Sequence, residues 1–145
     1  METVTHRPLV SLLGCAKDAF TAEFDRRLRA SEFDSLSLAH AANVLRHVGE
    51  GRHQASRIVE LCGVSKQAVS QQITHLERNG YLRVSPHPTD HRARVLEATE
   101  KGRRAKAFVD RTLADIETDW FDSLGVDDGP QLRRILMGLM ERFDA

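Results

Sequence analysis

Residues 59–84 read VELCGVSKQAVSQQITHLERNGYLRV, and three of them set the reading of the whole chain. Val59 and Gly63 lie four apart, and Val69 follows six further on. At that spacing the first residue packs between two helices, the glycine lets the chain bend where a side chain would clash, and the last anchors the second helix to the core. Ser65 is placed as the N-cap of a helix from Lys66 to Asn79 that Gly80 closes, with Val69, Ile73 and Leu76 as its inward stripe. The opposite face then shows Lys66, Gln67, Ser70, Gln71 and Thr74, and the helix's one acid, Glu77, stands towards its far end. After Gly80 the period changes from helical to alternating. Tyr81–Ser85 and Arg92–Ala98 read as two strands, joined by the turn-rich Pro86-His87-Pro88-Thr89-Asp90.

Helix, turn, helix and two-stranded hairpin is the order of a winged helix-turn-helix, and both flanks extend it with helices. Upstream, Leu9, Leu12, Leu13, Ala16, Phe20, Phe24 and Leu28 recur at three- and four-residue steps, which predicts one amphipathic helix from Pro8 to about Arg29. Ser37 is placed to cap a second helix through Ala41, Val44, Leu45 and Val48, stopped by Gly49 and Gly51. A third, short helix carries Ile58, Val59 and Leu61 to Gly63. Downstream, Thr99 with Lys101-Gly102 opens a long helix whose apolar face is Ala105, Phe108, Val109, Leu113, Ile116, Trp120 and Phe121, ended by Gly125. Asp127-Asp128-Gly129-Pro130 reads as a further break before a last helix presenting Leu132, Ile135, Leu136, Leu139, Met140 and Phe143. That stripe is wider than a short terminal helix needs for packing on its own subunit, so a second chain is expected to cover part of it.

The 145 residues are 41% hydrophobic and 29% charged, which suits a packed core and excludes a disordered chain. Formal net charge is zero, but it is unevenly distributed. Residues 46–104 hold eleven Lys/Arg against six Asp/Glu, residues 105–145 five against nine, and residues 1–45 five against six. A basic centre between near-neutral and acidic ends fits a nucleic-acid surface on a mount that need not touch the polyanion; the plainer reading is a solvated face. Cys15 and Cys62, far apart in apolar helical contexts, exclude a disulfide framework and a four-ligand zinc site within one chain. Both read as small core residues, which points to a reducing compartment. Met-Glu-Thr-Val-Thr-His-Arg-Pro has no signal-peptide pattern, and no run approaches the ~20 apolar residues of a membrane span, so a cytoplasmic protein with no membrane partner is expected.

Residues 36–104 resemble the MarR family of bacterial transcription regulators. The resemblance rests on Gly63-Val64-Ser65-Lys66 leading into the recognition helix and on Leu76-Glu77-Arg78-Asn79-Gly80-Tyr81-Leu82 closing it. The wing Asp90-His91-Arg92-Ala93-Arg94 and the following Thr99-Glu100-Lys101-Gly102 carry it further. What the resemblance implies is a fold that is mainly α with a small β-hairpin wing: a winged helix-turn-helix flanked by long dimerisation helices. It implies one domain over residues 1–145, with a DNA-binding lobe at 36–98 and a helical dimerisation region at 8–30 plus 99–145. The implied function is a sequence-specific regulator, a repressor by expectation, that binds a pseudo-palindromic site on double-stranded DNA as a homodimer. A small aromatic or phenolic effector would release it.

On that reading Ser65, Lys66, Gln67, Ser70, Gln71, Thr74, His75, His91, Arg92 and Arg94 contact DNA, and Leu12 joins the last helix's stripe in dimerisation. Arg92 would enter the minor groove, and Asp90 would structure the wing by holding an arginine or backbone amides. The amides of Gln67 and Gln71 suit adenine edges. Two positions depart from the family pattern: Gln71 stands where an arginine is usual, and Gln72 puts a polar group near the core, where it needs a partner or exposure. Ala98 replaces the usual leucine before Thr99. His87, Asp90 and His91 fall within five residues, but a loop offering no third nitrogen or sulfur ligand makes a poor zinc site, so no metal and no cofactor are expected. No nucleophile–base set stands in motif context and there is no Gly-rich phosphate loop, so no catalysis is expected. The alternatives are a winged helix that binds protein without DNA and a small metal enzyme on the wing histidines.

Overall fold

The computed structural model describes residues 7–144, without the side chains of residues 41–43. The extreme N-terminus, read above for a targeting signal, and the side chain of Ala41 lie outside the described residues. The chain divides into two compact units, with Thr112 closing the first and Leu113 opening the second.

The first unit holds α1 (Leu9–Arg29), α2 (Leu38–Asn43), a 3-10 turn (Leu45–His47), β1 (Arg52–Gln54), α3 (Ala55–Cys62), α4 (Lys66–Arg78), β2 (Leu82–Pro86) and β3 (Arg94–Ala98). It also takes the first half of α5 (Glu100–Asp122). Its core is built from Ile58 of α3, Val69, Ile73 and Leu76 of α4, Tyr81 and Leu82 after the turn, and Leu96 of β3, all at most 2% exposed. Each such side chain contributes about 1.5–3 kcal/mol relative to leaving it in water. Of the helix-turn-helix positions read from spacing, Val69 is fully buried, while Val59 is half-buried and leaves the deepest place on α3 to its neighbour Ile58. Gly63 ends α3 at φ 65°, a left-handed conformation that side chains resist.

Three elements differ from expectation. The second helix breaks after Asn43, and a 3-10 turn follows, which lets the neighbours Val44 and Leu45 as well as Val48 all reach the interior. Ser37 does not cap it: the Leu38 amide donates to Asp25 Oδ1 of α1 at 2.9 Å, and the Ser37 hydroxyl lies 2.9 Å from His40 Nδ1. The wing is a three-stranded antiparallel sheet of order β1-β3-β2, its hairpin extended by a strand whose three polar residues Arg52, His53 and Gln54 pair with Glu97, Leu96 and Val95. Cys15 is exposed on the free face of α1, contrary to the buried thiol expected, because no described residue covers that stretch of helix. Cys62 is half-buried, and burial pushes its thiol up, which suits core filling.

The second unit holds the rest of α5 and α6 (Asp128–Met140). Helix α6 starts within the segment read as a break. Pro130 stands in its first turn, where a missing N–H costs nothing, and Asp128 Oδ2 accepts from the Gly125 amide at 2.9 Å. Leu136 is half-buried, but Leu132, Ile135, Leu139, Met140 and Phe143 are exposed. Among the described residues no helix is long and apolar enough to cross a membrane.

Candidate nucleic-acid interface

Helix α4 begins as its sequence requires. Ser65 Oγ accepts from the Ala68 amide at 3.1 Å, and the burial of Val69, Ile73 and Leu76 turns Lys66, Gln67, Gln71 and Thr74 outward. Ser70 is half-buried beside them, and its carbonyl accepts from the Thr74 hydroxyl at 3.0 Å. This face carries a cation and amides but no acid until Glu77.

The wing loop between β2 and β3 closes through its own polar groups. The His87 amide donates to the Ala93 carbonyl at 3.0 Å and the Ala93 amide to the Asp90 carbonyl at 3.0 Å. Asp90 Oδ1 accepts from the Arg92 backbone amide at 3.0 Å. His87 Nδ1 accepts from the amides of Asp90 at 3.1 Å and Thr89 at 3.3 Å. Asp90 thus holds a backbone amide, and among the described residues no carboxylate pairs with the guanidinium of Arg92 or Arg94. A groove of about 360 Å³ lies between α3, α4 and the wing, where Lys66 and Ser70 face Asp90, Arg92 and Arg94 across the apolar Val59 and Ile73. Three cations and one acid around it make it electropositive.

A seam behind the helix fixes this geometry. The Thr99 hydroxyl donates to the Gly80 carbonyl at 2.5 Å and accepts from the Gly102 amide at 3.0 Å, while the Thr99 amide donates to the Tyr81 carbonyl at 3.1 Å. Gly102 backs onto that carbonyl so closely that a Cβ would run into it. Lys101 donates to the Asn79 carbonyl at 2.9 Å and lies 4.5 Å from the Tyr81 ring centroid, and the Tyr81 hydroxyl is 2.8 Å from Ser35 Oγ. The letters Thr99-Glu100-Lys101-Gly102 therefore read as a structural joint between the end of α4 and the start of α5.

The structure brings Lys66, Ser70, Asp90, Arg92 and Arg94 to one groove and leaves Gln67, Gln71 and Thr74 exposed on the same helix. His91 is exposed on the loop. His75 needs correcting: its Nε2 lies 2.8 Å from the Ser35 carbonyl and its ring stacks on His40 at 4.3 Å, so it ties α4 to the segment before α2 and is not offered to DNA backbone. Gln72 is half-buried with Oε1 unpartnered. Sequence reasoning missed Ser56 and Ala55, which line the groove from the start of α3, because a short helix with few apolar residues gave no face to assign.

Residues 35–93 match the family model described as MarR family. That stretch of the chain is similar to the MarR family. Solved structures share its fold over nearly the whole length. FabT of Streptococcus pneumoniae, solved in complex with DNA, is 18% identical, with 94% of this chain and 95% of that one covered and a TM-score of 0.78. BpsR of Bordetella bronchiseptica, a protein whose DNA binding 6-hydroxynicotinic acid regulates, is 21% identical over 100% of this chain and 99% of its own at 0.74. AbsC of Streptomyces coelicolor, a MarR family transcriptional regulator, is 19% identical over 99% of each chain at 0.72. No curated protein sequence matches the chain. In this fold the groove beside α4 is where helix and wing converge.

Proposed function

We propose that the chain is a cytoplasmic, sequence-specific DNA-binding transcriptional repressor that grips a pseudo-palindromic operator as a homodimer. The observation that carries this is the groove joining Lys66 and Ser70 of α4 to Arg92 and Arg94 of the wing, whose guanidinium groups pair with no carboxylate among the described residues. On this reading α4 lies in a major groove with Gln67 and Gln71 on base edges, Arg92 enters the neighbouring minor groove, and Lys66 and Arg94 hold phosphates. The exposed stripe of α6, with Leu12 of α1, forms the dimer contact. No step in this reading uses a metal, a cofactor or catalysis.

An effector reading has its own support. Phe33 and Phe108, with ring centroids 5.4 Å apart, and the side chains of Arg104 and Arg111 line a cleft of about 370 Å³. Glu32 also lines the cleft and pairs with Arg104 at 3.6 Å, so aromatic faces beside the Arg111 guanidinium are what suit a small aromatic acid or phenol, the class of effector that would release DNA.

Selecting duplexes from randomised DNA with the purified protein tests the main reading. Gln71→Ala should lower affinity for the selected site by about 1–3 kcal/mol, relax preference at one or two base pairs, and leave the salt slope unchanged. Lys66→Ala should weaken binding to all sequences alike and make the salt slope shallower by about one phosphate. Recovery of no duplex, with no salt-dependent binding to any DNA, would favour a winged helix used for protein contacts.

A further inference from the structure

We propose that His87 is a positioning residue of the wing, a neutral imidazole latch that presents Arg92 to DNA and that acid releases. The inference rests on the DNA-binding reading for its consequence, but its geometry stands apart from it. His87 Nδ1 faces two backbone N–H groups, those of Asp90 at 3.1 Å and Thr89 at 3.3 Å, with the Thr89 hydroxyl also at 3.3 Å. An imidazole nitrogen that accepts from an N–H carries no proton itself, so the ring is neutral with its hydrogen on Nε2.

From that nitrogen the loop is fastened link by link. The Asp90 amide is held by the ring, the Asp90 carboxylate holds the Arg92 amide at 3.0 Å, and the Asp90 carbonyl takes the Ala93 amide at 3.0 Å. The Ala93 carbonyl returns to the His87 amide at 3.0 Å. Arg92 therefore sits in a ring of bonds that starts and ends on His87. Protonating Nδ1 replaces the acceptor with a donor pointed at two donors, so both bonds are lost and the side chain must turn away.

The wing carries Asp90, His91, Arg92 and Arg94, with Lys66 across the groove. Charge counting alone says that an extra cation on the wing tightens the grip on a polyanion as pH falls. The latch says the opposite: the protonated ring frees the loop that carries Arg92, so affinity falls in acid.

The test compares the wild type, His87→Asn and His87→Ala on a duplex selected by the protein, at fixed salt, between about pH 8 and about pH 5.5. Asparagine places an acceptor oxygen where Nδ1 stands and does not titrate. At the upper pH the wild type and His87→Asn should bind alike and His87→Ala about three- to tenfold more weakly, the size of one or two exposed hydrogen bonds. On acidification the wild type should fall towards His87→Ala, while His87→Asn keeps its affinity relative to both. Without DNA, the amide resonances of Thr89, Asp90 and Arg92 should titrate together with the His87 ring in the wild type and stay still in His87→Asn. Identical pH profiles for the wild type and His87→Asn, or full affinity in His87→Ala at the upper pH, would overturn the latch. If no DNA binds at any pH, the functional reading falls and the amide titration alone decides the latch, for it if the three amides follow the ring and against it if they do not.

Discussion

Helices α4 and α6 are each thirteen residues long and each carries a stripe of large apolar side chains, yet they treat those stripes oppositely. In α4, Val69, Ile73 and Leu76 are at most 1% exposed; in α6, Leu132, Ile135 and Met140 are 43, 49 and 53% exposed. One stripe is covered by its own chain, through α3, Tyr81 and the wing, whereas the other faces solvent at a density that soluble monomers avoid. Periodicity therefore says which face of a helix is apolar, but says nothing of whether the chain's own residues cover it.

The largest effect should come from breaking the covered stripe. Leu76→Ala leaves a cavity in the first unit and should cost about 2–5 kcal/mol in urea unfolding. A loss under half a kilocalorie would mean that α4 is not anchored as described. The uncovered stripe should respond in another observable. Ile135→Asp with Leu139→Asp should weaken self-association by about tenfold or more, since a charge at an apolar contact must be desolvated, while the unfolding of the first unit barely moves. Unchanged mass by light scattering across micromolar dilution would remove α6 from the interface.

Next in size is a change at the groove, where side chains are neither buried nor apolar. Arg92→Ala should lower operator affinity by about 1–3 kcal/mol and shift thermal stability by no more than about 0.5 kcal/mol. Equal operator affinity for mutant and wild type at moderate salt would show that the wing stays off the DNA.

The smallest effect sharpens what holds α4 to the rest of its unit. Burial, and then the positive charge available to the stacked His75, hold His40 below the ordinary histidine range. The unfolded chain then takes up a proton that the folded chain refuses, so this contribution to stability is complete above the ordinary histidine value and is lost as pH falls from that value through the lowered one of the folded chain. Melting temperature should drop from neutral to mildly acid pH, and His40→Phe, which keeps a ring on His75, should drop less. His47, also held low by burial first and then by Arg46 and Lys106, keeps the remaining drop from vanishing. An acid drop of equal size in both proteins would clear His40.

What was legible in the sequence follows from where the physics is local. Ser65, Gly63 and Gly80 act within a turn of their own positions, so cap and stops could be read directly, and the inward Val69, Ile73 and Leu76 followed from the period. The wing's Asp90 was legible as a holder of an arginine or of backbone amides, and the structure gives it the Arg92 amide. Strand β1 was invisible because its three residues are polar and its partner lies over forty positions away, at Val95–Glu97. His75 lies on the flank of its helix, where the period leaves burial undecided, and Ser35, forty positions earlier, decides it. Cys15 misled because an apolar neighbourhood in sequence was taken for cover in space.

The seam at Gly102 also limits how this chain can change by descent. Any side chain there collides with the Tyr81 carbonyl, which already receives the Thr99 amide, so relief would have to move the tyrosine, the threonine and the opening turn of α5 at once. Tyr81 has little room to give, held as it is by Ser35 and Lys101. Residues drawn from three places in the sequence are in this way inherited as a single unit, and drift at one of them is paid in the fit of all the others.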